Sequence, residues 1–267
     1  MNESLKSHVN EVLLANLRFQ PTPGQSLLVA RLANFMVNST TGDTYIIKGY
    51  AGTGKTTMVG ALVKSLSSIG ARAVLLAPTG RAAKVMTGYS GRTASTIHRR
   101  IYRMDMAEGG GFSMKLAPNN SKNTFFIVDE ASMIPSQSAR DGAYSRNLLQ
   151  DLVSYVSSGE GCRLILVGDS AQLPPVGEEN SAALDVRYMM ARFALRAGHF
   201  ELTEVVRQEQ ESGILFNATA LRNQVMGTDG FHFNITFKDV CRLTSSDVGE
   251  QLASDHGTFG ADQVIVI

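Results

Sequence analysis

Cysteine is scarce in this chain. Cys162 and Cys241 are the two among 267 residues, and they lie far apart. With no close-spaced pair, neither a disulfide framework nor a cysteine-built metal centre is expected. The chain fits a reducing compartment, and the cytoplasm is the expected location. Net charge is scarce too: 25 Lys and Arg stand against 24 Asp and Glu, a formal +1 at pH 7. A global basic field is therefore not what would hold a nucleic acid, and any such contacts must be local. Long apolar runs are missing, so no membrane span is expected. Residues Met1–Leu17 carry Glu3, Lys6, His8 and Glu11, which does not fit a signal peptide. Their Val9, Val12, Leu13 and Leu17 have the spacing of an amphipathic helix instead. No internal repeat is visible. What the chain does have is 43% hydrophobic residues, enough for a sizeable core in one large or two modest domains.

Residues 49–56 read Gly-Tyr-Ala-Gly-Thr-Gly-Lys-Thr and meet G-x-x-x-x-G-K-[ST] at every fixed position. Gly49, Gly52 and Gly54 let the backbone turn tightly and approach a polyphosphate. Successive N–H groups, from Gly52 and Thr53 through Thr57, then face phosphate oxygens. Lys55 reaches the β- and γ-phosphates, and the Thr56 hydroxyl can take a place on Mg²⁺. The context agrees. Thr44–Lys48 is a short apolar strand candidate, and Thr57–Ser67 is apolar at helical spacing through Met58, Leu62 and Leu66. The phosphates would sit at a helix N-terminus. ATP with Mg²⁺ is the expected ligand pair.

Further strand candidates are Ala73–Ala77, Thr124–Val128 and Arg163–Val167, with helical patterns between them, the clearest at Ala143–Ser157. Short, nearly continuous apolar strands alternating with helices predict an α/β fold, a parallel sheet with helices on both faces. Ligands of such sheets bind at the carboxyl ends of the strands. Met104–Asn123, with Gly109-Gly110-Gly111, reads as an insertion in this pattern.

Each remaining motif begins at a strand end. Asp129-Glu130 follows Phe125–Val128. Asp129 is suited to the Mg²⁺ shell, and Glu130 to orienting and deprotonating the attacking water. Gly168–Pro175 follows the fourth strand, and its Gln172 can hydrogen-bond the γ-phosphate or the water. Ala77–Lys84 and Thr93–Arg100 combine hydroxyls, small residues and local positive charge, which suits a single-strand phosphate backbone. A helix cap at Thr79 and a solvated basic face at Arg99-Arg100 explain the same residues equally well.

The order Gly49–Thr56, Ala77–Lys84, Thr96–His98, Asp129-Glu130, Gly168–Pro174 and Leu202–Gln208 resembles the RecD-like branch of the superfamily 1 DNA helicases, over about residues 19–267. The resemblance implies a RecA-like phosphate-loop NTPase core at 1–210 carrying a small inserted β-hairpin at about 103–123. It implies a linker and the beginning of an incomplete second RecA-like domain at 211–267, with 261–267 as its opening strand. Gln25 matches the adenine-reading position. Arg207 matches the arginine that reaches the γ-phosphate, and Pro78, Thr79, Thr96 and His98 match contacts to single-stranded DNA. The hairpin acts in relatives as a wedge at the duplex junction, and Phe112 and Met114 offer apolar tips for it. The implied function is an ATP hydrolase coupled to travel along single-stranded DNA, 5′→3′ in this branch, as a truncated form that does not unwind DNA alone. Exonuclease or recombination subunits are the implied protein partners. Competing readings are a phosphate-loop kinase or AAA-type remodelling ATPase, and a nucleotide-regulated DNA-binding subunit of an exonuclease complex. No acceptor-pocket motif for a kinase is visible, and no nuclease motif; the DNA-binding subunit stays open as the alternative.

Overall fold

A computed structural model describes residues 2–17, 19–106, 112–137, 146–204, 212–225, 232–260 and 263–264. The chain forms two compact units, Met1–Val206 and Arg207–Ile267.

In the first unit, α1 (Asn2–Ala15) and α2 (Pro23–Asn38) precede β1 (Thr44–Gly49). Then come α3 (Lys55–Ser68), β2 (Arg72–Ala77), α4 (Gly80–Ser90), β3 (Ala94–Thr96) and α5 (Ile97–Ile101). A hairpin follows, β4 (Tyr102–Met106) and β5 (Phe112–Leu116), then β6 (Thr124–Val128), α6 (Leu148–Ser157), β7 (Arg163–Gly168), α7 (Val186–Phe193) and β8 (Ala197–Leu202). The sheet order is β3-β2-β6-β7-β1-β8, and every pairing in it is parallel. The expected α/β core and inserted hairpin are both present. β4 and β5 pair only with each other, antiparallel, with Met104 opposite Met114.

The side-chain period of a strand explains why the central strands carry nearly continuous apolar runs, since successive side chains face two different cores. Ile47, Phe125, Ile127, Ile165 and Val167 face one core with Leu28, Leu32, Met58, Leu62 and Met86 of α2, α3 and α4. Their neighbours Ile46, Phe126, Val128, Leu164 and Leu166 face a second core with Ile97, Leu149, Leu152 and Met189. All five residues of β6 are buried. The amphipathic N-terminal helix joins the first core through Val9 and Leu13, each fully buried.

Two strands escaped the sequence pattern, and both are sheet edges. β3 is only Ala-Ser-Thr, and β8 (Ala-Gly-His-Phe-Glu-Leu) is half-buried along most of its length. The helix expected from Ala143 begins at Leu148, because Asn147 caps it by accepting from the Gln150 N–H at 2.8 Å; residues 143–145 lie outside the described residues.

In the second unit, α8 (Gly213–Val225) begins where Asp239 accepts from the Gly213 N–H and the Ser212 hydroxyl, each at 2.8 Å. Asn217, buried on α8, bonds both backbone groups of Asn234. The Phe216 and Phe237 rings lie 5.2 Å apart. A further helix, α9 (Val248–Phe259), buries none of its residues. Of the strand expected at 261–267, residues 261–262 and 265–267 lie outside the described residues. Among the described residues no helix is long and apolar enough to cross a membrane.

Gly198 on β8 shows how tightly the edge is built. A Cβ there would stand 2.7 Å from the Tyr45 ring, which is itself packed at 5.2 Å against Phe35. Gly198→Ala is expected to lower stability by about 1–3 kcal/mol through this overpacking. Gly88→Ala, in the interior of α4 with open space around it, is expected to raise stability by about 0.5–1 kcal/mol. Denaturant midpoints of the two variants measure the contrast.

Candidate nucleotide-binding site

The sheet is parallel throughout, so its strands end on one edge, and the chemistry-bearing loops collect there. β1 runs into the glycine-rich loop. Gly52 and Gly54 have φ of 76° and 87°, a region that side chains disfavour. Gly49 meets a different demand. A Cβ on it would lie 2.7 Å from Thr53 Oγ1, 3.0 Å from Leu202 Cβ and 3.1 Å from the Leu202 carbonyl oxygen. Only glycine lets β1 turn into the loop beneath β8.

The loop is braced from inside. Thr53 is fully buried, and its hydroxyl donates to the Tyr50 carbonyl at 2.8 Å. Gln25 is also fully buried. Its Nε2 donates to the Thr53 carbonyl at 3.1 Å, and its Oε1 accepts from the Thr22 N–H at 3.1 Å. Thr22 returns a bond to the Gln25 N–H, closing a capping box at the start of α2. The residue matched to adenine reading therefore ties α2 to the phosphate loop. The Glu204 carboxylate accepts from the Gly24 N–H at 3.1 Å, which fastens the segment after β8 to the same helix start.

α3 starts at Lys55 with no side-chain cap, so its first N–H groups lack intrahelical partners and favour an anion. Thr56 and Thr57 are exposed at this end. Lys55 Nζ donates to the carbonyls of Gly49 and Tyr50 at 2.6 and 2.9 Å and stands 4.0 Å from an Asp169 carboxylate oxygen.

Asp129 and Glu130 follow β6. Asp129 Oδ1 accepts from the Glu130 N–H at 3.0 Å, and its Oδ2 accepts from the Tyr89 hydroxyl at 2.6 Å. Glu130 has φ of 54°, an unusual value for a residue with a side chain and one found at functional turns. Burial pushes its carboxyl pKa upward, the nearby Asp129 charge adds to this, and Lys55 opposes it. Burial, then the charges of Asp129 and Glu130, push the Tyr89 hydroxyl far above its ordinary value, so it stays a donor. Gln172 is exposed on the loop after β7, its Oε1 accepting from the Ser132 hydroxyl at 3.3 Å.

Thr79 and Thr96 lie at the ends of β2 and β3 on the same edge. Both are helix caps: Thr79 Oγ1 accepts from the Ala82 N–H and Thr96 Oγ1 from the Arg99 N–H, each at 3.2 Å. A capping hydroxyl still has its own proton to donate. Pro78 sits between β2 and the cap, half-buried. His98 is exposed on α5, its ring 5.7 Å from that of Tyr102. Phe112 opens β5, with its side chain outside the described set; Arg207 lies outside the described residues altogether. Among the described residues of the hairpin, Met104 is an exposed large apolar side chain, at 57%.

Three residues at the site were not singled out from the sequence. Asp169 was visible inside the Gly168–Pro175 motif but had no role until its distance to Lys55 gave it one. Ser132 lies in the Val128–Met133 stretch around the acidic pair but had no role until it touched Gln172, and Tyr89 carries no sequence signal, since it acts only by touching another site residue.

A glycine-rich loop between a central parallel strand and an uncapped helix, with a strand-end acidic pair, defines a phosphate-loop NTPase fold that binds nucleotide. The chain belongs to the AAA domain family, which matches residues 23–229. It is 35% identical over 181 residues to the ATP-dependent DNA helicase dda of Enterobacteria phage T4, covering 66% of this chain and 37% of that protein. It is 31% identical over 182 residues to the ATP-dependent RecD2 DNA helicase of Deinococcus radiodurans, covering 66% of this chain and 21% of that protein. The chain thus spans well under half the length of either relative.

Lys55→Ala removes the cation at the loop, and Gly49→Ala places a methyl group inside its brace. Lys55→Ala is expected to weaken nucleotide binding at least about 10-fold, given charge-assisted bonds of about 1.5–3 kcal/mol, and Gly49→Ala to weaken it by displacing the loop. Titration with a fluorescent ATP analogue checks this. Wild-type affinity in folded Lys55→Ala would refute the assignment.

Proposed function

We propose that this chain is an ATP-hydrolysing motor half of a DNA helicase of the RecD-like branch, acting on single-stranded DNA and travelling 5′→3′. The observation that carries the reading is the gathering of the phosphate loop, Asp129-Glu130 and Gln172 at the ends of β1, β6 and β7, adjacent in the sheet. The two helicase relatives support it. A remodelling ATPase shares the phosphate loop; the strand-end Gln172 and the hydroxyl-bearing ends of β2 and β3 favour the DNA motor.

Magnesium suits the donors present. The exposed Thr56 hydroxyl and the Asp129 carboxylate are hard oxygen ligands, and Mg²⁺ bound with phosphates takes few side chains. When bound, Mg²⁺ neutralises charge on the phosphates. The protein's own groups do the rest. Loop N–H groups and Lys55 hold the phosphates. Glu130, with its proton affinity raised by burial, accepts a proton from the attacking water. Gln172 orients that water or the γ-phosphate, and Arg207 is assigned the transition-state charge. Thr79, Thr96 and His98, with Pro78 shaping the turn, are assigned to the strand's phosphates, and the hairpin to the duplex junction. In this reading strand separation needs a second RecA-like half facing the nucleotide.

The deciding assay is ATP hydrolysis with and without single-stranded oligonucleotide. Strong stimulation is expected; hydrolysis indifferent to DNA would remove the motor reading. Glu130→Gln is expected to retain nucleotide binding while turnover falls about 100-fold or more, the usual scale of a lost general base. Loss of binding with turnover retained in Asp129→Asn would reverse the two carboxylate roles. Thr79→Ala combined with His98→Ala is expected to weaken oligonucleotide binding and leave nucleotide affinity unchanged, read by anisotropy at fixed salt. Equal anisotropy curves would return both residues to capping and packing. On a 5′-tailed duplex, these 267 residues alone are expected to give no strand separation.

A further inference from the structure

Tyr89 is the residue at the site that nothing in the motif pattern assigns. It sits near the end of α4, and its hydroxyl donates to Asp129 Oδ2 at 2.6 Å. The other carboxylate oxygen is held by the Glu130 N–H at 3.0 Å. A carboxylate gripped through both oxygens cannot rotate about its terminal torsion without losing a charge-assisted bond. Each oxygen keeps acceptor capacity for another ligand.

The grip is needed because of what surrounds Asp129. Glu130 is its neighbour in sequence, and Asp169 follows β7, the strand paired beside β6, so three carboxylates share one end of the sheet. Mutual repulsion among carboxylates favours turning Asp129 outward into water. Tyr89 opposes that from a firm base. Its ring packs against the first core, and it belongs to α4, which is capped at its other end by Thr79. At Gly60 of α3, the helix that opens with Lys55 and Thr56, a Cβ would stand 3.8 Å from the Tyr89 carbonyl oxygen. Tyr89 therefore joins the helix leaving the phosphate loop to the carboxylate after β6.

We infer that Tyr89 is a positioning residue that sets the Asp129 carboxylate for Mg²⁺–nucleotide binding, acting through its hydroxyl. The inference rests on the nucleotide site proposed above and adds to it a residue outside the loop and the acidic motif. Residues that orient a metal ligand through a hydrogen bond are commonly worth 10–100-fold in metal affinity.

The test uses Tyr89→Phe, which keeps the ring and its packing and removes only the hydroxyl. A fluorescent ATP analogue is titrated into wild type, Tyr89→Phe, Asp129→Asn and the double variant, each in MgCl₂ and in EDTA. Tyr89→Phe is expected to match wild type in EDTA and to lose roughly 10-fold of the affinity gained with Mg²⁺. The double variant is expected to be no weaker than Asp129→Asn, because the hydroxyl acts through that carboxylate. An unchanged or larger Mg²⁺ gain in Tyr89→Phe overturns the inference. So does an equal loss in MgCl₂ and EDTA, which marks a packing role, or full additivity in the double variant. A folded wild type that binds no nucleotide fails the site itself, and the inference falls with it. Wild-type binding matched by Tyr89→Phe fails the inference alone.

Discussion

Parallel pairing sets Lys48 of β1 opposite Gly168 of β7, and Leu166 of β7 opposite Val128 of β6. The site depends on this register. The phosphate loop begins after β1, Asp169 follows β7, and Asp129-Glu130 follows β6, so three loops emerge at nearly one level. Two inter-strand spacings separate β1 from β6, roughly 10 Å, a gap suited to a phosphate group and the water that attacks it. A slip of one residue in any of these strands would exchange its core-facing side chains between two filled cores. Burial on both faces therefore holds the chemistry in place.

Charge at the site is arranged to await a polyanion. Lys55 rests on the carbonyls of Gly49 and Tyr50 and near Asp169, while Asp129 and Glu130 crowd the neighbouring strand end. An incoming phosphate exchanges carbonyl partners of the ammonium for full negative charge, a stronger pairing. The backbone that must receive it is already shaped: Gln25 and Thr53 brace the loop through buried hydrogen bonds, and positive φ at Gly52 and Gly54 fixes its curl. Little of the binding energy then goes into ordering the loop.

The same edge carries the candidate strand contacts. Thr79 caps α4 and Tyr89 ends its last turn on Asp129. One helix of 11 residues thus has its first turn at the proposed DNA face and its last at the carboxylate proposed for Mg²⁺. The two readings of Thr79 weighed from sequence, cap and DNA contact, are not exclusive: the oxygen accepts from the helix while the proton remains available.

The sequence by itself determined the nucleotide loop, the acidic pair and the four central strands. These are local or periodic features: fixed glycines, a lysine at set spacing, and apolar runs that only a doubly covered strand accommodates. Tertiary structure alone decided the edges and the connections. β3 and β8 are short or half-exposed, and an edge strand owes its conformation to the neighbour it pairs with. Gln25 matched an adenine-reading position in sequence; packing beneath the loop made it a buried brace. Tyr89, Ser132 and Asp169 gained roles only when chain folding brought residues tens of positions apart within hydrogen-bond or ion-pair reach, and contacts of that range leave no periodicity to read.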